Sequence, residues 1–135
     1  MRSPILVATL ACTALVGCGQ GDGKVAEDPV KSVRAVVVRF GEASAKKDYQ
    51  AICDELITPG LVAGVEQVGL PCELAFKQGL GDVRAPTLKV LAVTVRGDRA
   101  SARVTSGAAG QKPSTDVLRL QRWAGAWRIA ALGAA

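Results

Sequence analysis

Apolar positions recur along this chain at two different periods, and the change of period divides it. Between Pro29 and Lys47 the spacing is three and four: Val33, Val36, Val37 and Phe40 mark one helical face, with Lys31, Arg34 and Arg39 off it and Val38 an apolar exception. Pro29 suits a first helical position, where its missing N–H does no harm. Lys46 and Lys47 suit the negative end of the helix. Asp48 reads as an N-cap. Behind it Tyr49, Ile52, Cys53 and Leu56 predict a second short helix to about Ile57, stopped by Thr58-Pro59-Gly60. Leu61, Val65 and Val68 predict a further turn or two, broken by Gly69. Pro71 starts another helix with Cys72, Ala75 and Phe76 inward, ended by Gly79 and Gly81.

After Arg84-Ala85-Pro86 the chain becomes β-branched and alternating. Thr87 to Arg96 is apolar on both faces, Leu88, Val90 and Ala92 on one and Leu91, Val93 and Val95 on the other, which predicts a strand covered on both sides. Gly97-Asp98 has the form of a tight hairpin turn. Arg99 to Ser106 points Ala100, Ala102 and Val104 in, and Ser101, Arg103 and Thr105 out. A polar, glycine-rich loop covers Gly107 to Pro113. Thr115 to Trp123 points Leu118 and Leu120 in, and Arg119 and Gln121 out. Ala124-Gly125 turns the chain into a fourth strand, Ala126 to Leu132, with Trp127, Ile129 and Ala131 on one face and Arg128 on the other. Helices followed by a four-stranded antiparallel meander predict an α+β domain.

The N-terminus has a third pattern. Met1-Arg2 is followed by an apolar run from Ile5 to Val16, too short for a bilayer span of roughly 20 residues and of the length of a secretory core. An ordinary cut after Gly17 would put bulky Leu15 at a position that wants a small residue. Leu15-Val16-Gly17-Cys18 instead resembles the lipobox of bacterial lipoproteins. That resemblance implies a diacylglycerol on the Cys18 thiol, removal of residues 1–17, and Cys18 as an acylated first residue. Two or three acyl chains hold a protein at a membrane surface durably, since each buried methylene contributes about 0.8 kcal/mol. Residues 18–28 are rich in Gly and charge and read as a flexible spacer. Residues 29–135 are left as a single domain. The expected location is the extracytoplasmic side of the cell membrane.

That compartment changes the reading of the cysteines. Cys12 leaves with the signal peptide and Cys18 is acylated. Cys53 and Cys72 remain, an even number under oxidising conditions, and are expected to pair. A metal site is the weaker alternative: two thiolates with no His in the chain are too few for a closed zinc site. A thiol-redox pair is weaker still, because the spacing is not Cys-x-x-Cys. No cofactor is implied.

Charge is uneven. Residues 18–82 hold seven Lys/Arg against ten Asp/Glu, whereas residues 83–135 hold nine against two. The cations are dispersed, so they read first as solvent-facing strand positions. The alternative is attraction to anionic headgroups or an acidic ligand. Nucleic acid is not an expected partner, because there is no aromatic-basic platform on which bases could stack.

The order of elements, with Tyr49-Gln50-Ala51-Ile52-Cys53-Asp54-Glu55-Leu56, a second cysteine at Cys72, and Arg122-Trp123-Ala124-Gly125-Ala126-Trp127-Arg128-Ile129, resembles the nuclear-transport-factor-two-like (ketosteroid-isomerase-like) fold. It is most similar to small exported actinobacterial lipoproteins that carry this domain. The resemblance implies a cone, in which a curved sheet wraps a long helix around an apolar cavity. Phe40, Tyr49, Phe76 and Trp127 are the candidates for its lining, although Tyr49 and Trp127 read first as packing residues, Tyr49 at the helix base and Trp127 in the core. Members include enzymes, binding modules and dimerisation modules, so the fold alone does not assign chemistry.

A catalytic reading must supply its own residues. The isomerase members use a carboxylate base. Here the strand region holds only Asp98, in a turn where it bonds backbone, and Asp116, expected at a sheet edge. Asp54 and Glu55 read as solvated. Without His, a Ser-His-Asp hydrolase is excluded, and no phosphate loop is present. The expectation is a non-catalytic lipoprotein that binds a small apolar ligand or an envelope partner. The rivals are a cavity enzyme of isomerase or hydrolase type, and a structural module pairing as a homodimer through its sheet face.

Overall fold

The structure, a computed structural model, describes residues 26–134. Cys18 and the apolar N-terminal run lie outside the described residues. Helix α1 spans Pro29–Lys46, with Pro29 in its first turn, and Asp28 as N-cap accepts a hydrogen bond from the Val30 N–H. Its buried residues are Val33, Val37, Phe40 and Ala43. Lys47 closes it in the left-handed region, its N–H donating to the Ala43 and Ser44 carbonyls.

Asp48 caps α2, Tyr49–Ala51, which widens at once into a π-helical turn over Ile52–Leu56. The Ile57 N–H donates to the Ile52 carbonyl five residues back. That wider turn buries Ile52, Cys53, Leu56 and Ile57 together, a set an ordinary helix would spread over a broader arc. Thr58 does more than stop this segment. Its hydroxyl accepts from the Leu61 N–H and caps α3, Pro59–Glu66. Helix α4 follows over Cys72–Leu80.

The four strands β1 (Thr87–Arg96), β2 (Arg99–Gly107), β3 (Ser114–Trp123) and β4 (Ala126–Ala134) form one antiparallel sheet in sequential order. The helices pack on its inner face. The outer edge of β4 is partly covered, because Ile57 bridges Ile129 in parallel and the Thr58 N–H donates to the Ile129 carbonyl at 2.9 Å. Arg128 fastens the same corner. Its guanidinium donates to the carbonyls of Asp54 (2.8 Å) and Ile57 (3.3 Å), the negative end of the π turn.

Two β-bulges overturn expectations of facing. The register of β1 slips between Val90 and Ala92, leaving Leu91 as the extra residue. Before the bulge Leu88 and Val90 face the helices; after it Val93 and Val95 do. Strand β1 is therefore covered on one side only, and Leu91 is 44% exposed. A second slip, between Arg119 and Leu120 in the β3–β4 ladder, puts Leu132 opposite Leu118 on the inner face and Ala131 opposite Arg119 on the outer one. Ala131 was expected inward, beside Ile129.

The core runs from Val33 to Ile129, with Ile52, Leu56, Ile57, Leu120 and Ile129 essentially closed to solvent. Each such side chain contributes about 1.5–3 kcal/mol relative to exposure. Among the described residues, the core, the Cys53–Cys72 disulfide and the sheet fall within residues 29–134.

Candidate functional site

Beyond Phe40 the core stops and a cavity begins. Its volume is about 660 Å³, inside the roughly 300–1,000 Å³ range of small-molecule sites. One wall is the C-terminal half of α1, through Phe40, Gly41 and Ser44. A second is α4, through Ala75, Phe76, Gly79 and Leu80. The sheet supplies the floor, with Leu88, Val104, Leu118 and Leu132. The loop between β2 and β3 lies at the mouth, with Gln111 and Lys112.

Local sequence explains the shape. A Cβ on Gly41 would stand 3.0 Å from the Cβ of Leu88, so glycine lets α1 lie directly on β1. Helix α4 is held in place by its first residue: Cys72 is joined to Cys53 of the π turn, with Cα atoms 6.1 Å apart. The bulge at Ala130 brings Leu132 to the floor.

The one carboxylate in the cavity lining, Asp116, is held by two hydroxyls. Ser106 donates to Oδ2 of Asp116 at 2.6 Å and Ser114 to the same oxygen at 3.0 Å. The two hydroxyls are 2.9 Å apart. Asp116 was expected at a sheet edge. It lies instead on the central strand β3, paired with Val104 of β2, and lines the cavity half-buried. The reason is parity. Leu120 and Leu118 face inward, so two residues earlier Asp116 does too, followed by Ser114. On β2 the inward row Ala100, Ala102, Val104 continues to Ser106. The signal was present in the alternation, where the inward row turns from apolar to polar.

The other expected residues divide. Phe40 and Phe76 line the cavity; Tyr49 and Trp127 do not. Tyr49 sits on α2, which packs against α4 and contributes no residue to the wall. Trp127 lies near the start of β4, whereas the cavity meets that strand near its end, at Leu132 and Gly133. The Arg122 guanidinium covers the Trp127 ring, 4.8 Å from its centroid. Oη of Tyr49 and Nε1 of Trp127 are buried without a hydrogen-bond partner among the described residues. Asp54 and Glu55 are exposed, Glu55 in a surface ion pair with Arg39 at 2.7 Å. Asp98 stands in the β1–β2 turn, near Arg122 at 3.6 Å. Among the described residues no group of three His, Cys, Asp or Glu side chains could hold a metal ion.

Chemically, the cavity offers an apolar body and one carboxylate already gripped by two hydroxyls. Such a site can solvate the hydrogen-bond donor of an otherwise apolar molecule.

No protein-family model and no curated protein matches the chain. Solved structures do. A SEC-C motif containing protein from Rhodopseudomonas palustris superposes with a TM-score of 0.59 at 16% identity, over 78% of this chain and 80% of that one. A nuclear-transport-factor-two-like protein of unknown function from Silicibacter pomeroyi gives 0.57 at 20% identity, over 77% and 92%. One from Shewanella baltica, also of unknown function, gives 0.53 at 14% identity, over 76% and 88%. These likenesses establish the nuclear-transport-factor-two-like α+β fold. At such identities they carry no chemistry.

Proposed function

We propose that the chain is a lipid-anchored extracytoplasmic binding protein whose cone receives a small, mainly apolar molecule and does no chemistry on it. The cavity carries this reading. The domain closes a buried apolar core from Val33 to Ile129, yet leaves about 660 Å³ open beside it, walled by Phe40, Phe76, Leu88 and Leu118. A module that needed only to be stable would fill that space, since packing it would add contacts. The Asp116 carboxylate gives the bound molecule one orientation, with a hydroxyl or amine toward the serines.

The anchor rests on Leu15-Val16-Gly17-Cys18 at the end of the apolar run. Among the described residues no helix is long and apolar enough to cross a membrane. An acylated Cys18 supplies a membrane attachment that needs none.

Two experiments test the halves separately. Native mass spectrometry of protein from its own cells, with the anchor cut off in the spacer, is expected to show a retained small molecule that unfolding releases. An empty monomer would overturn the binding reading, and a stable dimer with an empty cavity would favour a pairing module. Metabolic labelling with fatty acid is expected to mark the native chain and not a Cys18→Ser variant. Label on neither would overturn the anchor.

A further inference from the structure

The outer face of the sheet is a different surface from the cavity. Strand register places Lys89, Arg96, Arg99, Arg103 and Arg119 at outward positions, all exposed. None of the five is in an ion pair among the described residues; the nearby Asp98 stands by Arg122. The only acid within the four strands, Asp116, faces the other way, into the cavity. Arg96 and Arg99 are cross-strand partners, a like-charge placement that destabilises a sheet unless a counter-charge covers it. These two and Arg119 line a shallow trough of about 570 Å³ based on small residues such as Thr94, Ser101 and Ala131. Trp123, at the end of β3, has the same outward parity as Arg119 and is 48% exposed.

We infer that this face docks on the headgroups of anionic membrane lipids. Guanidinium groups match phosphate oxygens in a planar, forked geometry. Cations on one face beside a bilayer are drawn to anionic headgroups over a Debye length. An exposed Trp at the rim suits the headgroup level, where one end of the ring is apolar and the other wet. A second copy of the chain does not fit, because face-to-face pairing would set five cations against five with no acid between them.

The position of the tether agrees. Gly41 lies against Leu88, and Arg34 donates to the Val90 carbonyl at 3.4 Å. Helix α1 therefore runs antiparallel to β1, and its N-terminus points toward the Arg96 end of the sheet. Ten extended steps from Cys18 to Asp28 reach about 34 Å, enough to lay the face on the bilayer that holds the anchor. This proximity rests on the acylated Cys18; the charge argument does not.

The test is cosedimentation of the chain from residue 19 onward with phosphatidylcholine vesicles, with and without phosphatidylglycerol. Binding is expected only to the anionic vesicles and is expected to fall in high salt. Arg103→Gln with Arg119→Gln should weaken it about twenty-five-fold, at roughly fivefold per cation. Lys46→Gln with Lys77→Gln removes the same charge from the helices and should change it by less than about twofold. Circular dichroism checks that both variants are folded. Equal binding to neutral vesicles, equal loss in both variants, or capture of heparin but not of anionic vesicles would each overturn the inference.

Discussion

Val104 and Asp116 stand directly opposite each other on β2 and β3, and the core ends between them: Val104 is fully buried, and Asp116 looks into the cavity. A half-buried carboxylate directly beyond Leu120, Leu118 and Val104, where the inward rows turn from apolar to polar, is a poor choice for stability. Asp116→Leu extends the apolar row and is expected to stabilise the domain by about 1 kcal/mol. The same variant should lose the retained ligand, because the only acceptor gripped by Ser106 and Ser114 is gone. Urea denaturation and native mass spectrometry read the two effects. A loss of stability of similar size would show instead that the serine–carboxylate cluster is a structural clasp.

Helix α4 forms a wall of the cavity and is tied at its first residue, so the disulfide bears on both stability and binding. The bond joins residues 19 apart and constrains the unfolded chain by about 3 kcal/mol in the chain-entropy model. Cys53→Ser with Cys72→Ser is expected to lower the unfolding free energy by about that amount. Dithiothreitol on the wild-type protein should give the same result. Ligand retention should fall before the domain unfolds, since Ala75, Phe76, Gly79 and Leu80 travel with α4. A reduced protein that keeps its ligand would mean that packing alone holds the wall.

Much of this architecture was legible in the chain. The helical face of Val33, Val37 and Phe40, the cap at Asp48, the alternation of β2 and the antiparallel order all follow from local periodicity, which backbone geometry enforces. What was not legible depends on insertion or distance. The bulge at Leu91 is invisible in an unbroken apolar run, because period two looks the same on either side of a slip. The bridge from Ile57 to Ile129 joins residues far apart in sequence, and nothing near Ile57 announces it. Asp116 shares the inward parity of Leu118 and Leu120 two residues further along β3, but its charge argues locally for a solvated edge, and only the cavity beside it reconciles the two.

The β3–β4 turn carries a correctable strain. Ala124 and Gly125 both have positive φ, 47° and 82°. This is the geometry of a two-residue hairpin turn in which both positions favour Gly, Asn or Asp. An alanine there costs on the order of 1 kcal/mol. Ala124→Asn or Ala124→Gly is expected to recover about 0.5–1 kcal/mol, read as a higher urea midpoint with an unchanged slope. Because Trp123 flanks the turn and stays exposed, its fluorescence should not shift. A lower midpoint would mean that the methyl group of Ala124 makes a contact outweighing the strain.

The β1 bulge makes the sharpest contrast between neighbours. If the strand were regular, Leu91 would share a face with Val93 and Val95, and Val90 would lie on the opposite side. With the extra residue at Leu91, Val90 and Val93 both face the helices, and Leu91 stands in solvent. Leu91→Ser is therefore expected to change stability by less than about 0.5 kcal/mol. Val90→Ser and Val93→Ser each place a hydroxyl against the core and should cost about 1–3 kcal/mol. Chemical denaturation of the three variants decides between the two registers. A costly Leu91→Ser together with a neutral Val90→Ser would mean that β1 is regular, and the floor of the cavity at Leu88 would then have to be redrawn.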